Sequence, residues 1–119
     1  PTRIYVKSLL ALLAEVPVHG LAHITGGGLT ENVPRVLPEG CAVLVDASAW
    51  RVPPVFSLIA RHGHVRPDEI FRAFNMGIGM ILVVSHDQVD PVIQALTESG
   101  EHAAEIGKLR RGSNDVQIV

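Results

Sequence analysis

Three consecutive glycines, Gly26-Gly27-Gly28, stand in the stretch "HITGGGLTENVPRVLP", between a short apolar run and a segment with helical spacing. Strand, glycines and helix start form a geometry that aims backbone N–H groups and the positive end of a helix at an anion. Glycine also lets the backbone approach a phosphate with no Cβ in the way. Neither the Gly-Lys-Ser/Thr of a Walker A loop nor the G-x-G-x-x-G of a dinucleotide fingerprint is present. On composition alone, a flexible turn and a phosphate cradle stand level. His23 lies two residues before Thr25, so both share one face of an extended strand. One role for His23 is structural, partly buried and bonded to a backbone carbonyl. The other places it at the carboxyl end of a strand beside a cleft, where an imidazole is suited to proton transfer.

Asn75, in "FNMGIGM", sits where a helix hands over to a strand. It serves either as a turn residue or as a hydrogen-bonding group for a ligand. His62 and His64 are spaced like metal ligands, but no third ligand has suitable spacing, so a solvated loop is expected and no metal site. Asp68-Glu69 reads as charge compensation at a helix N-terminus, and Cys41 as a packing residue.

These residues need elements to hold them. Val6, Leu9, Leu10 and Leu13 predict an amphipathic helix over 4–15, which Pro17 stops. "HGLAHIT" predicts a strand with Leu21, His23 and Thr25 on one face and Gly20, Ala22 and Ile24 on the other. Leu29, Val33 and Leu37 predict a short helix with Pro34 in its first turn. "CAVLVDAS" predicts a buried strand, "PPVFSLIARHG" a helix stopped at Gly63, and "PDEIFRAF" a second short helix. "GIGMILVVS" predicts a strand at the centre of a sheet, with Gly77 and Gly79 leaving a stripe free of side chains. A helix over 87–99 ends at Gly100, and "AAEIGKLRR" and "DVQIV" predict two strands joined as a hairpin by "GSN". The expected class is α/β of the α+β type, a mixed β-sheet with packed helices.

A chain of 119 residues with 47% apolar content is one domain, burying roughly two-thirds of its unfolded surface without a disulfide or metal staple. The net charge of −2, with scattered Lys and Arg, argues against nucleic acid or an anionic membrane as partner. No apolar run approaches the ~20 residues that span a bilayer. A single cysteine fits a reducing, cytoplasmic setting. The start at Pro1, with a strongly patterned segment directly after it, points to a piece of a larger protein, although processing also removes a start.

The T-G-G-G…E-N-x-P-R-x-L-P string, with "FNMGIGM" and the opening "PTRIYVK", resembles the C-terminal domain of the phosphoribosylaminoimidazole synthetase family, also called phosphoribosylformylglycinamidine cyclo-ligases. The resemblance runs from Pro1 through "IGKL" to the end of the chain. It implies a domain with a mixed sheet and helices, taken from a two-domain cytoplasmic enzyme of purine biosynthesis. That enzyme uses ATP and Mg²⁺ to phosphorylate the amide oxygen of formylglycinamidine ribonucleotide. A nitrogen then displaces the phosphate, closing the imidazole of aminoimidazole ribonucleotide and leaving ADP and phosphate. The nucleotide and metal sites belong chiefly to an N-terminal domain that residues 1–119 do not contain, so this fragment is expected to be inactive alone. The same domain builds most of the family's homodimer.

Carried over on the matching positions, Thr25, Gly26, Gly27 and Gly28 are expected to contact a substrate or nucleotide phosphate. His23 is the catalytic candidate beside the reacting atoms, and Asn75 is expected in the cleft wall. Arg3 and Lys7 either add positive charge at the domain junction or are solvated helix residues. Two further readings stand beside this one. One is an anion-binding module without catalysis. The other is a domain of a related ATP-dependent synthetase or kinase, which is not expected to carry the whole string from His23 to Pro38.

Overall fold

The computed structural model describes residues 3–119. Helix α1 (Val6–Leu13) leads into β1 (Gly20–His23), and the glycines open α2 (Gly28–Asn32), which tightens into a 3-10 turn over Val33–Val36. Then follow β2 (Cys41–Val45), α3 (Pro54–Gly63), α4 (Ile70–Ala73), β3 (Met80–Val83), α5 (Val89–Glu98), β4 (Gly107–Arg111) and β5 (Val116–Ile118). The expected mixture of helices and mixed sheets is observed, but the sheet is in two parts. β1 pairs antiparallel with β3, and β2 lies between β4 and β5.

"GIGMILVVS" is therefore not a central strand. Among the described residues β3 pairs only with β1, with His23 opposite Met80 and Leu21 opposite Leu82. Its hydrophobicity has a different cause. Ile81 packs on a core of Ala22, Ile24, Leu29, Val33, Val43 and Val45, while Leu82 and Val84 pack on a second core of Leu12, Val92 and Leu96. A strand covered on both faces reads as a continuous apolar run even with one edge unpaired.

The expected hairpin is also absent. β4 runs antiparallel and β5 parallel to β2, one on each side. The "GSN" turn crosses the start of β2, where the N–H groups of Gly112 and Asn114 donate to the carbonyls of Gly40 and Cys41. β2, with Ala42, Val43 and Val45 buried, thereby has both edges satisfied. At its end Asp46 accepts bonds from the Ser48 hydroxyl (2.6 Å) and the Ser48 N–H (2.9 Å). The side-chain bond, then the backbone bond, holds its carboxyl below the usual 3.8. That stabilising contribution is present at neutral pH and lost as the pH falls through the lowered value.

The α1 stripe does not face inward: Val6 and Leu10 are 61% and 63% exposed, and Leu12 is the buried residue. "VKSLLALL" is apolar everywhere but Lys7 and Ser8, so periodicity alone does not select the side that meets α5. Helix α3 likewise exposes Val55, Leu58 and Ile59. Its left-handed terminal residue is His64 rather than Gly63. Helix α5 ends as expected at Gly100, whose positive φ allows N–H bonds from Gly100 to Thr97 O and from Glu101 to Leu96 O. That closure sets Glu101 facing the start of the chain. Among the described residues no helix is long and apolar enough to cross a membrane.

Candidate functional site

β1 alternates as expected: Ala22 and Ile24 are buried, whereas His23 and Thr25 are exposed. The Ile24 N–H donates to the Gly79 carbonyl at 2.9 Å, extending the β1–β3 pairing to the point where His23 leaves the strand. Beside it lies a pocket of about 350 Å³ lined by Arg3, Tyr5, His23, Ile24, Asn75 and the two glycines Gly77 and Gly79. Two of the expected site residues, His23 and Asn75, thus come together from opposite ends of the β1–β3 ribbon's sequence. A larger cavity of about 1100 Å³ separates the two sheets, but aliphatic side chains dominate its lining and none of the expected site residues borders it. Chemistry therefore favours the smaller pocket.

Among the described residues the His23 imidazole bonds no backbone carbonyl. Its contact is aromatic: Tyr5 meets it edge-on, with ring centroids 6.4 Å apart and planes at 74°. Asn75 does serve as a turn residue. Its Oδ1 accepts the Gly77 N–H (2.9 Å) and its carbonyl accepts the Ile78 N–H (3.0 Å). Met76 and Gly77 between them have φ of 54° and 93°, the two positive values of a type I′ turn. Met76 is a rare residue for that conformation. It is held there by burial of its side chain and by the Trp50 indole N–H on its carbonyl at 3.0 Å. The Asn75 amide Nδ2 has no partner among the described residues, and Asn75 lines the pocket.

The stripe beside Gly77 and Gly79 is filled from within the chain. A Cβ on Gly77 would meet the Pro53 ring, and one on Gly79 would overlap the Tyr5 phenol. Arg3 spends its charge internally: its Nε lies 3.0 Å from Glu101 Oε2, and its guanidinium donates to the Gly100 carbonyl. Glu101 also accepts the Ser8 hydroxyl at 3.1 Å. Lys7 is an exposed helix residue.

The glycine loop borders this pocket's strand but not its walls. Its organiser is Asn32, 4% exposed. Asn32 Nδ2 donates to the carbonyls of Thr25 (3.2 Å), Gly26 (3.2 Å) and Gly28 (2.9 Å), and Oδ1 accepts the Thr25 hydroxyl at 3.4 Å. With the carbonyls turned inward onto Asn32, the Gly26 and Gly27 N–H groups make no backbone bond among the described residues. The three glycines differ. Gly27 and Gly28 have φ of 97° and 59°, and a Cβ on Gly28 would overlap the Phe71 carbonyl of α4. Gly26 has open space around its Cβ position. Glu31 reaches back against Gly27 and pairs with Arg72 at 3.4 Å, so the chain sets its own carboxylate beside the loop.

Sequence reading assigned no role to Asn32 or Tyr5. The available signals were a polar residue directly before the core residue Val33, and the chain's one tyrosine within "PTRIYVK". Replacing Asn32 with alanine removes the two amide N–H donors that three loop carbonyls share, and the acceptor that holds the Thr25 hydroxyl. At about 1 kcal/mol for each bond, the expected loss of stability is ~2–4 kcal/mol, read as a lower urea midpoint. Asn32→Asp, which turns an acceptor toward three carbonyls, is expected to cost at least as much.

Among the described residues no group of three or more His, Cys, Asp or Glu side chains could hold a metal ion.

A two-part sheet under helices, with a strand-end histidine beside a glycine loop, defines an α/β domain. The chain belongs to the family of AIR synthase related proteins, C-terminal domain, which it matches over residues 1–119. It is 47% identical over 122 residues to the phosphoribosylformylglycinamidine cyclo-ligase of Geotalea uraniireducens (strain Rf4), covering 100% of this chain and 35% of that protein. To the enzyme of the same name from Nitrosospira multiformis it is 50% identical over 115 residues, covering 97% and 33%. The chain thus spans about a third of the length of these relatives. Among solved structures, E. coli HypE superimposes with a TM-score of 0.72 at 22% identity, over 98% of this chain and 36% of that one. That likeness concerns the fold.

Proposed function

We propose that this chain is the C-terminal, substrate-side domain of a phosphoribosylformylglycinamidine cyclo-ligase. The observation that carries the reading is identity near one half across the whole chain with enzymes of that name. In the complete enzyme, ATP converts the amide oxygen of formylglycinamidine ribonucleotide into a phosphate ester. A nitrogen of the same molecule attacks that carbon, the C–O bond breaks, phosphate leaves and the imidazole closes. Phosphorylation turns a poor leaving group into a good one. ATP and Mg²⁺ are held by an N-terminal domain supplied from outside residues 1–119, with the reaction in the cleft between the two domains of a cytoplasmic homodimer.

Within this chain His23 takes the proton that the attacking nitrogen loses. It is exposed at a strand end and lines the pocket, and among the described residues no hydrogen bond engages its ring nitrogens. The Asn75 amide donates to the substrate from the opposite wall. The Gly26 and Gly27 N–H groups, with the Thr25 hydroxyl beside them, bind a phosphate of substrate or nucleotide once Glu31 swings aside.

The test is a chimera in which this chain replaces the C-terminal third of the Geotalea uraniireducens enzyme. ATP-dependent formation of aminoimidazole ribonucleotide is expected from the chimera and not from the chain alone. A folded chimera that binds ATP but makes no product would overturn the assignment. The alternative, a non-catalytic anion-binding module, predicts that millimolar phosphate shifts amides 26–29 of the isolated chain in NMR spectra while the chimera stays inactive.

A further inference from the structure

The geometry points to Tyr5 as the residue that positions His23, with Gly79 as the gap that makes this possible. The inference rests on the proposed proton-transfer role of His23. A general base works only when its ring is held in one orientation, and in triad enzymes a third group does the holding through a hydrogen bond. Here the imidazole has no hydrogen-bond partner among the described residues. What restricts it is the edge-on Tyr5 ring, 6.4 Å between centroids, an arrangement aromatic pairs favour.

Tyr5 is itself fixed at both ends. Its carbonyl accepts the Leu9 N–H at 2.9 Å, which ties its backbone to the first turn of α1. Its phenol lies over Gly79, where a Cβ would overlap the hydroxyl and crowd the adjoining ring carbons. Gly79 in turn accepts the Ile24 N–H, one residue beyond His23, so the seat for the phenol and the backbone carrying the imidazole are joined by a hydrogen bond. Tyr5, His23 and Gly79 border the same pocket. A start-of-chain aromatic, a strand-end histidine and a glycine on the partner strand thus form one unit.

The tests separate this unit from the role of His23. In the isolated chain, NMR is expected to show cross-relaxation between the Tyr5 ring and the His23 ring protons. These contacts should persist in Tyr5→Phe and disappear in Gly79→Ala, which displaces the phenol while altering the chemistry of neither ring. In the chimera, Tyr5→Leu and Gly79→Ala are each expected to lower kcat ~10-fold or more, with KM within about threefold, because small misplacements of a reacting group are costly. Tyr5→Phe should stay within about threefold of the parent.

In a His23→Ala background, the Tyr5→Leu effect should vanish, since a positioning residue acts only through its client. If it persists in that background, or if Tyr5→Leu leaves kcat unchanged while His23→Ala abolishes turnover, the positioning proposal falls and the role of His23 stands. If His23→Ala is itself fully active, the role of His23 falls, whatever the ring contacts show. Should Tyr5→Leu fail to fold, Gly79→Ala carries the same comparison.

Discussion

In the chimeric cyclo-ligase, His23→Ala is expected to lower kcat by about 10²–10⁴-fold, the usual worth of a positioned general base, and to leave KM within a few-fold. Two features of the structure make the experiment clean. The side chain is exposed, and among the described residues the Tyr5 ring is its one aromatic neighbour. Removing it opens no cavity and strands no buried partner, so stability should change by no more than about 0.5 kcal/mol. A loss of activity cannot then be read as a loss of fold. His23→Gln, which keeps a hydrogen-bonding side chain but cannot carry a proton, should be nearly as slow as alanine. Turnover within threefold of the parent for either variant would remove proton transfer from His23 and leave the pocket with a binding role only. Stopped assays of aminoimidazole ribonucleotide formation at saturating ATP, alongside urea denaturation of both variants, decide the matter.

The parts of the molecule legible in the sequence are those governed by short-range physics. The alternation in "HGLAHIT" put His23 and Thr25 on one face and Ala22 and Ile24 on the other, and once the latter pair enters the core the pleat leaves the former exposed. Gly100 ended α5 because its left-handed φ closes the last turn. The errors lie where a distant partner decides. β4 and β5 look like a hairpin, yet β2 takes one on each edge. β3 looks central but owes its apolar character to two cores, not to two neighbours in a sheet. The pocket follows the same division. His23 and Asn75 were recognisable from their positions beside glycines, whereas the contact of Tyr5 with His23 and Gly79 joins segments far apart in the chain. Asn32 escaped notice because its importance comes from three carbonyls that only the folded loop brings to one point.

Gly28→Ala is expected to destabilise the domain by roughly 2–5 kcal/mol. Two costs combine: a left-handed φ at a residue with a Cβ, about 1–2 kcal/mol, and a forced shift of packed neighbours, about 1–3 kcal/mol. The neighbours are backbone carbonyls of Phe71 and Phe74 at α4, which cannot swing away as a side chain would. Against a typical total stability of about 5–15 kcal/mol, that is a large fraction, visible as a sharply lowered urea midpoint. Gly27→Ala also pays for a left-handed φ, but the atoms it meets belong to the flexible Glu31 side chain, so a smaller loss of ~1–2 kcal/mol is expected. Gly26→Ala should be neutral within about 0.5 kcal/mol, because its φ is ordinary and its Cβ would enter open space. The order Gly28, Gly27, Gly26 therefore separates architecture from access. Gly28 lets α4 pack against the loop, Gly27 turns the chain into α2, and Gly26 alone has no internal reason to lack a side chain. If the loop binds a phosphate, Gly26→Ala is the variant that should weaken that binding while leaving the urea midpoint in place. Equal destabilisation by all three substitutions would instead make the triplet a structural turn and nothing more.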